Sequence, residues 1–273
     1  MDTTHTRHLP GSDYAQPHAA LAGRRVLVTG GRGTLGAALC AGFRSLGCEV
    51  WAIDRSPLGS GTEVPGVQQR VADVRERASL QAVQDELAHT SGLDVLVNAH
   101  GLQMRTNFAD CDEDTWMTLT DINLNGVYRS CQVFGAPMRE RGGAIVNIGS
   151  GAGYGKPNMA AYSASKAGIM GLSMAMAYDH FHDHVRVNVA IPGGGGIVSG
   201  MSVGRMGGDV QAFQSKPAQG TVAGRPATGQ DLARAVAFLL SDEAEAITGT
   251  VIDVGCFAHQ GGPLGPKPSK EHL

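Results

Sequence analysis

Residues 25–36 read Arg25-Val-Leu-Val-Thr-Gly-Gly-Arg-Gly-Thr-Leu-Gly36, and this stretch decides the fold. It begins with an apolar, β-rich run and continues through a glycine-rich turn, and an apolar run with helical spacing follows over 35–46. Strand, glycine turn and helix in this order are the setting that a dinucleotide-binding fingerprint requires. The stretch therefore predicts the first strand and helix of a parallel α/β sheet, with a nucleotide site at the turn.

The glycines of this turn, Gly31, Gly33 and Gly36, have the G-x-G-x-x-G spacing. The first two permit a tight turn whose backbone amides approach a pyrophosphate, and the third allows the helix to pack closely on the strand. The partial positive charge of the helix N-terminus favours the same anion. The alternative is an ordinary loop in a chain with 39 glycines, but the flanking strand and helix favour nucleotide binding.

An acidic residue, Asp54, ends a second predicted strand over 49–54. A carboxylate at this position accepts hydrogen bonds from both hydroxyls of an adenine ribose and repels a 2′-phosphate. The pattern therefore favours NAD over NADP. Arg32 and Arg55 weaken this preference, because either guanidinium has the charge and length to meet a 2′-phosphate. A strand-end cap is the alternative role of Asp54.

Composition and charge restrict the class of protein. The chain of 273 residues is 42% apolar, enough for one large α/β domain, and its net charge of −3 without a basic stripe disfavours nucleic acid as a partner. Five scattered cysteines without metal-ligand spacing are typical of free thiols in a reducing cytosol. No signal-peptide pattern and no apolar run of eighteen residues occur, so we expect a cytoplasmic protein without a membrane partner.

Apolar, β-rich stretches alternate with helical ones along the chain. The alternation predicts a single-domain, Rossmann-like, doubly wound parallel sheet with helices on both faces. We expect this domain over 21–257, a flexible tail over 1–20 and a C-terminal tail over 258–273. The predicted strands are 25–29, 49–54, 67–72, 94–98, 144–149, 186–191 and 250–254, and the predicted helices are 35–46, 78–89, 113–139, 159–181 and 230–240.

A second motif, Tyr162-Ser-Ala-Ser-Lys166, lies inside the helix predicted over 159–181. Residues four apart share one face of a helix, so the two side chains lie one above the other. A tyrosine has a pKa near 10 and is a poor acid or base at neutral pH, whereas a nearby ammonium lowers that pKa into a useful range. Alone the spacing is often a surface pair, and it gains weight from the dinucleotide fingerprint.

With several shorter motifs, these features resemble the short-chain dehydrogenase/reductase family over residues 21–257. The resemblance implies an NAD(H)-dependent oxidoreductase that interconverts a secondary alcohol and a ketone of a small molecule, and a homo-oligomer, either dimer or tetramer. The matching pieces are Asp73-Val74, Asn98-Ala-His-Gly101, Asp121-Ile-Asn123, Ile145-Val-Asn-Ile-Gly-Ser150, Arg186-Val-Asn-Val-Ala-Ile-Pro-Gly193 and Ile247-Thr-Gly249.

The resemblance also implies a catalytic set. Tyr162 would exchange a proton with the substrate oxygen while hydride moves, and Lys166 would hold the nicotinamide ribose and lower the pKa of Tyr162. Ser150 would orient the carbonyl and stabilise charge on its oxygen, and Asn123 would hold a water that links Lys166 to solvent. A strand-end turn residue for Ser150 and a helix residue satisfied by backbone for Asn123 are the alternatives.

The family's cofactor contacts carry over to matching positions of this chain, and no metal is implied. Asp73 would meet the adenine, with a helix N-cap as its alternative role. The implied contacts are Gly30, Arg32, Gly33, Thr34, Leu35, Gly36, Asp54, Asp73, Val74, Asn98, Gly101, Tyr162, Lys166, Pro192 and Gly193.

Several positions depart from the family pattern. Thr34 replaces the usual second glycine, and the resulting spacing resembles an extended branch that includes sugar epimerases. His100 stands where a small residue is usual, and it either faces the cofactor or packs beneath it. Ser150 precedes Tyr162 by twelve residues instead of about thirteen, and Ile197 replaces a threonine, with Ser199 as a substitute. An epimerase or dehydratase, or a dinucleotide-sensing regulator, is therefore an alternative function.

Two further features concern the surface and the substrate pocket. The cluster His180, His182 and His184 indicates a solvated turn at a helix end rather than a metal site. The methionine-rich segment 201–206 indicates part of a lid with an adaptable apolar wall. We expect the substrate pocket to be lined by 102–105, 151–154, 156–159 and 194–215, which mix apolar side chains with two cations.

Overall fold

The computed structural model describes residues 21–59, 62–90, 92–193 and 227–256, together with 209, 211 and 222. The strands are β1 (Arg25–Thr29), β2 (Glu49–Asp54), β3 (Gln68–Val71), β4 (Val95–Asn98), β5 (Gly143–Ile148), β6 (Val185–Ile191) and β7 (Val251–Asp253). They form a parallel sheet with the strand order β3-β2-β1-β4-β5-β6-β7. The order reverses between β1 and β4, which is where open α/β sheets bind ligands.

Helices cover both faces of this sheet. Alternate side chains of a strand point to opposite faces, and in β1 the core is divided in this way: Val26 and Val28 pack on one side and Leu27 on the other. The helices are α1 (Thr34–Ser45), α2 (Arg77–Ala88), α3 (Glu113–Thr120), α4 (Gly126–Gly135), α5 (Ala160–Asp179) and α6 (Gly229–Leu240). The first side is covered by α1 and α6, and the second by α2, α4 and α5. The predicted doubly wound Rossmann-like fold is confirmed.

The helical segment over 113–139 differs from the prediction. The chain is helical throughout, but a π-helical turn over Asp121–Asn125 separates α3 from α4, and a 3-10 turn over Ala136–Glu140 follows. Pro137 has no backbone N–H to donate, which accounts for the tightened end. The π turn adds a residue between the helices and buries Asn123 completely. Such turns are frequent at functional sites.

Some predictions fall outside the described residues. These are both predicted tails, the methionine-rich segment 201–206, the positions Ile197 and Ser199, and all but two residues of the predicted lid. Within the described ranges, no helix combines the length and apolar character needed to cross a membrane. The remaining predicted strands and helices agree with the structure to within one or two residues at each end.

Candidate active site

The glycine turn after β1 leaves no room for side chains. Gly30 has a φ of +67°, which favours glycine, and a Cβ on it would lie 2.7 Å from the Cα of His100. A Cβ on Gly36 would lie 2.1 Å from the Gly30 carbonyl oxygen, and one on Gly31 would lie 2.5 Å from the Cβ of Ala52. The turn therefore packs tightly between the sheet and the start of α1, as the spacing predicts.

A cavity of about 360 Å³ opens beside this turn, at the carboxyl ends of the strands. It brings together nine of the predicted cofactor contacts, from the glycine turn to the loop after β4. The N-terminus of α1 adds free backbone N–H groups, which suit a pyrophosphate. The predicted contacts that line the cavity are Gly30, Gly33, Thr34, Leu35, Gly36, Asp54, Asp73, Val74 and Gly101.

The carboxylate of Asp54 is held on the cavity wall by backbone amides. Its Oδ1 accepts a hydrogen bond from the Ser56 N–H at 3.0 Å, and its Oδ2 accepts one from the Arg32 N–H at 3.3 Å. Each carboxylate oxygen keeps a further lone pair for a ligand hydroxyl. The carboxylate therefore has acceptor sites left over, and its contact with a ribose stays a prediction.

The side chain of Arg32 is not brought to the cavity. Its guanidinium is buried and donates to the backbone carbonyls of Asp54, at 3.0 Å, and of Ser56. The ends of β2 and β3 supply acceptors that this side chain satisfies, which explains why it turns inward. The prediction that Arg32 can meet a 2′-phosphate is therefore wrong for this arrangement, whereas Arg55 does line the cavity.

Asp73 is paired with a residue that the sequence reasoning did not single out. Arg75 contacts both carboxylate oxygens, with Nη2 at 2.6 Å from Oδ2, and this pairing lowers the pKa of Asp73. Helix α2 begins at Arg77 with Glu76 as its N-cap, so Asp73 does not cap it. Both Asp73 and Arg75 line the cavity. An arginine two residues after an acidic cofactor contact was the available sequence signal.

The Tyr-x3-Lys pair lies in the first turns of α5, and both side chains are buried. The Lys166 Nζ lies 6.0 Å from the centre of the Tyr162 ring and donates to the Ile148 carbonyl at 2.9 Å. Burial lowers the pKa of Lys166 to about 8. A Cβ on Gly101 would lie 3.5 Å from this ammonium, so Lys166 reaches the end of the cavity at Gly101.

The side chain of Asn123 forms hydrogen bonds beside the Tyr-x3-Lys pair. Its Oδ1 accepts from the Leu102 N–H at 2.8 Å, and its Nδ2 donates to the Leu102 carbonyl at 2.9 Å and to Ser165 Oγ at 3.0 Å. Ser165 in turn donates to the Tyr162 carbonyl at 2.8 Å. The amide therefore ties the loop after β4 to α5, which matches the alternative of a side chain satisfied by backbone. Its role in a water relay stays a prediction.

Ser150 follows β5 and caps a single 3-10 turn. Its Oγ accepts from the Ala152 N–H at 3.1 Å, which leaves the hydroxyl hydrogen to donate elsewhere. The loop to Tyr162 is held against α5 at Gly153, where a Cβ would lie 3.1 Å from the Ala167 nitrogen. The turn role and the predicted substrate contact are compatible, because they use different parts of the hydroxyl.

Five predicted cofactor contacts besides Arg32 do not line the cavity: Asn98, Tyr162, Lys166, Pro192 and Gly193. Asn98 is buried, and its Nδ2 donates to Asn147 Oδ1 at 2.8 Å. The amide of Asn98 therefore joins β4 to β5 and does not face the cavity. Pro192 and Gly193 follow β6, and a Cβ on Gly193 would lie 2.2 Å from the Cα of Gly255. This close contact fixes the start of the segment that was predicted to pass the nicotinamide.

The histidine-rich turn lies far along α5 from these residues. His180 Nδ1 lies 3.0 Å from Asp183 Oδ2, and the neighbouring Phe181 and His182 are exposed. His184 has a φ of +56°, the left-handed conformation of a turn before β6. In the described part of the chain, no group of three or more metal-ligating side chains is gathered.

Similar proteins share this fold and length. A family model described as enoyl-(acyl carrier protein) reductase matches residues 32–256. The 2-keto-3-deoxy-L-fuconate dehydrogenase of Xanthomonas campestris pv. campestris is 32% identical over 92% of this chain and 87% of its own. The aldohexose dehydrogenase of Thermoplasma acidophilum, solved in a ligand-free form, is 26% identical, with a TM-score of 0.79 over 92% of this chain and 99% of its own. An actinorhodin polyketide ketoreductase solved with NADPH is 26% identical, with a TM-score of 0.76 over 87% and 97%.

The fold and the site together define a Rossmann-type oxidoreductase that takes a nicotinamide dinucleotide. A glycine turn under α1 and a buried Tyr-x3-Lys pair on α5 frame the two ends of one site. The chain belongs to the short-chain dehydrogenase/reductase family. This confirms the resemblance drawn from the motifs.

Replacing Lys166 with methionine is expected to abolish turnover and yet raise the free energy of unfolding near pH 7. Burial holds the pKa of Lys166 at about 8, below its usual 10.5, so the charged form costs stability at every pH below 8. Between pH 8 and 10.5 the unfolded chain binds more protons, so this cost fades as pH rises. After allowing for the lost hydrogen bond to Ile148, we expect a gain of about 2 kcal/mol.

Urea denaturation of both proteins from pH 7 to 10.5 measures this effect, because 10.5 is the ordinary pKa of the group. The advantage of the methionine variant should shrink steadily above pH 8. A difference that stays constant across the range would show that Lys166 does not titrate with a lowered pKa.

Proposed function

We propose that this protein is an NAD(H)-dependent oxidoreductase that interconverts a secondary alcohol and a ketone of a small molecule. The proposal rests on the way the glycine turn, the cavity and the Tyr-x3-Lys pair follow one another along the carboxyl ends of the strands. The cavity begins at the glycine turn and Asp54, and it ends at Gly101, where the Lys166 ammonium and Asn123 approach. A dinucleotide laid along this arrangement has its adenosine at Asp54 and its nicotinamide beside the Tyr-x3-Lys pair.

The residues of the pair divide the acid-base chemistry between them. When bound, the nicotinamide supplies or accepts the hydride. In the reductive direction the Tyr162 hydroxyl gives its proton to the substrate oxygen, and in oxidation the phenolate takes it back. The Lys166 ammonium, 6.0 Å from the centre of the Tyr162 ring, favours the phenolate over the phenol. Ser150 donates a hydrogen bond to the substrate oxygen where negative charge develops.

The preference for NAD over NADP rests on Asp54. Backbone amides on both sides hold its carboxylate on the cavity wall, where a 2′-phosphate meets a fixed negative charge. Arg32, which the sequence offers as a counter-charge, is committed to backbone carbonyls. Arg55 lines the cavity and is the cation that stands against this preference.

Exposed side chains, net charge and free cysteines support an oligomeric state, a class of substrate and a cellular location. Tyr128 on α4 and Met174 and Tyr178 on α5 are large apolar or aromatic side chains left exposed, and they support a homo-oligomer, dimer or tetramer, through these helices. The absence of a basic stripe supports a small-molecule substrate without nucleic acid. Free cysteines, including buried Cys40 and Cys131, support a cytoplasmic location.

A titration of the purified protein with NADH, and separately with NADPH, tests the proposal by nicotinamide fluorescence. Tight NADH binding with weak NADPH binding supports the proposal. Carbonyl compounds that carry an acidic group are then screened first, because two cations, Arg105 and Lys156, lie in the loops beside the site. Binding of neither cofactor would refute it. Binding without turnover of any carbonyl compound would instead favour a sensor, and retained cofactor without net reduction would favour an epimerase.

Replacing Asp54 with alanine is expected to narrow the preference for NADH over NADPH at least about tenfold. The change removes both a hydrogen-bond acceptor for the ribose and a charge that repels the 2′-phosphate. The same titration measures the ratio of the two dissociation constants. Asp85, exposed on α2 and bonded to Gln81, provides the control, since Asp85→Ala should leave the ratio unchanged. An unaltered ratio in Asp54→Ala would show that Asp54 does not read the ribose.

A further inference from the structure

His100 occupies a buried position in the wall of the cofactor cavity, where the family usually has a small residue. Its side chain follows β4, and the residue is 8% exposed. The ring nitrogen Nδ1 lies 2.6 Å from the Oγ1 of Thr29, the last residue of β1. This short contact joins the loop after β4 to the strand that leads into the glycine turn.

The contact continues as a buried chain of polar groups under the carboxyl ends of the strands. The Thr29 hydroxyl lies 3.3 Å from Asn98 Oδ1, and Asn98 donates to Asn147 Oδ1 at 2.8 Å. Asn147 donates to Ser173 Oγ on α5 at 2.9 Å. The imidazole in the cavity wall is therefore connected, through β1, β4 and β5, to the helix that carries the Tyr-x3-Lys pair.

The backbone on both sides leaves space for this ring and for little else. A Cβ on Gly30 would lie 2.7 Å from the Cα of His100, and a Cβ on Gly126 would lie 2.9 Å from its Nε2. The same added Cβ on Gly126 would lie 2.9 Å from Val74 Cγ2. The imidazole thus fills the gap between the glycine turn, the first turn of α4 and the adenine side of the cavity.

The imidazole is neutral at physiological pH. Burial lowers the pKa of His100 to about 3, and the Lys166 ammonium acts in the same direction. The Ile122 carbonyl and the carboxylates of Asp54 and Asp73 oppose these effects only in part. A neutral ring has one donor and one acceptor nitrogen, and of the two it is Nδ1 that pairs with the threonine hydroxyl.

We propose that His100 is a positioning residue of the dinucleotide site, an inference that rests on the proposed function. Its bond to Thr29 holds the loop after β4 against the glycine turn, and its ring sets the width of the cavity between Gly30 and Val74. Loss of the ring leaves a space into which the loop relaxes, so the dinucleotide loses a fixed wall. The chemistry at Tyr162 is not touched directly.

The test compares four single variants and one double variant by NADH titration and steady-state kinetics. His100→Ala and Thr29→Val should each raise the dissociation constant for NADH about tenfold, because each removes the buried hydrogen bond. Their effects should add only in part in the double variant, because both remove the contact between His100 and Thr29, while Thr29→Val also removes the hydrogen bond to Asn98. His100→Asn keeps a polar atom near Nδ1, and Thr29→Ser keeps the hydroxyl, so both should bind NADH within about threefold of the parent. At saturating NADH, kcat should change less than the dissociation constant does.

A pH series tests whether His100 is buried in its neutral form. The folded pKa of His100, about 3, is below its ordinary 6.5, so the unfolded chain binds an extra proton between these values. Stability should therefore fall as pH drops below 6.5, and His100→Asn should fall less steeply. The carboxylates of Asp54 and Asp73 are present in both proteins, so their own titration cancels when the two stabilities are subtracted.

Each outcome separates this inference from the proposed function. Failure of the parent protein to bind NADH removes the proposed function and the inference with it. A parent that binds NADH, together with a His100→Ala variant that binds equally well, overturns the inference alone. Equal weakening in His100→Ala and His100→Asn also overturns it, since the hydrogen bond then carries no part. If His100→Ala does not fold, the comparison of Thr29→Val with Thr29→Ser decides.

Discussion

Replacing Tyr162 with phenylalanine is expected to lower kcat at least about a hundredfold, while the affinity for NADH stays within about threefold. The change removes the phenolic oxygen and leaves the ring. That ring is buried with Ala152, Met159 and Ala161 in a small apolar cluster, so the packing of the start of α5 is kept. The Lys166 ammonium remains, but it has no phenol on which to act.

Steady-state kinetics with NADH and a carbonyl substrate found by screening measure this loss. Tyr178→Phe is the matched control, because Tyr178 lies on the same helix and is 84% exposed. It should keep the kcat of the parent protein. Full activity in Tyr162→Phe would refute the proton-transfer role and leave the oxidoreductase mechanism without its acid.

The arrangement of strands and helices could be predicted because the central strands bury both faces. Every residue of β1 and β4 is buried, and such strands appear in the sequence as continuous apolar runs between helical stretches. The edge strands give a weaker signal. In β3 no residue is buried, and β7 is half-buried throughout. Apolar content marks a strand clearly only where both faces are covered.

The site could be predicted where its geometry is local in sequence. Gly36 is such a case, because a Cβ on it would meet Gly30 and Gly31, which lie in the same turn. Asn98 and Arg32 are the opposite case. The amide of Asn98 is bonded to Asn147, 49 residues further along the chain. The guanidinium of Arg32 is bonded to the carbonyls of Asp54 and Ser56, 22 and 24 residues further along. A short sequence motif does not contain such distant hydrogen-bond partners, so it does not predict these contacts.

The π turn before α4 escaped prediction for a related reason. An extra residue in a helix hardly alters the apolar periodicity over a few turns. What fixes the turn is the pair of hydrogen bonds between the Asn123 amide and the Leu102 backbone, together with Ser165 on α5. These contacts form only when the loop after β4 and α5 are in place.

Replacing Gly36 with alanine is expected to raise the dissociation constant for NADH at least about a hundredfold. The added Cβ would lie 2.1 Å from the Gly30 carbonyl oxygen and 2.8 Å from the Gly31 Cα. Both are backbone atoms, so no side chain can rotate to make space. The N-terminus of α1 must move away from the turn, and its amides then no longer face the pyrophosphate.

The matched control for this change is Gly171→Ala on α5, where a Cβ meets nothing within 4 Å. It should leave NADH binding unchanged and stabilise the helix by up to about 1 kcal/mol, since alanine is the better helix former. Urea denaturation and NADH titration of both variants separate folding from binding. Parent-like affinity in Gly36→Ala would mean that α1 can shift without cost to the site, and the pyrophosphate would then have to lie elsewhere in the cavity.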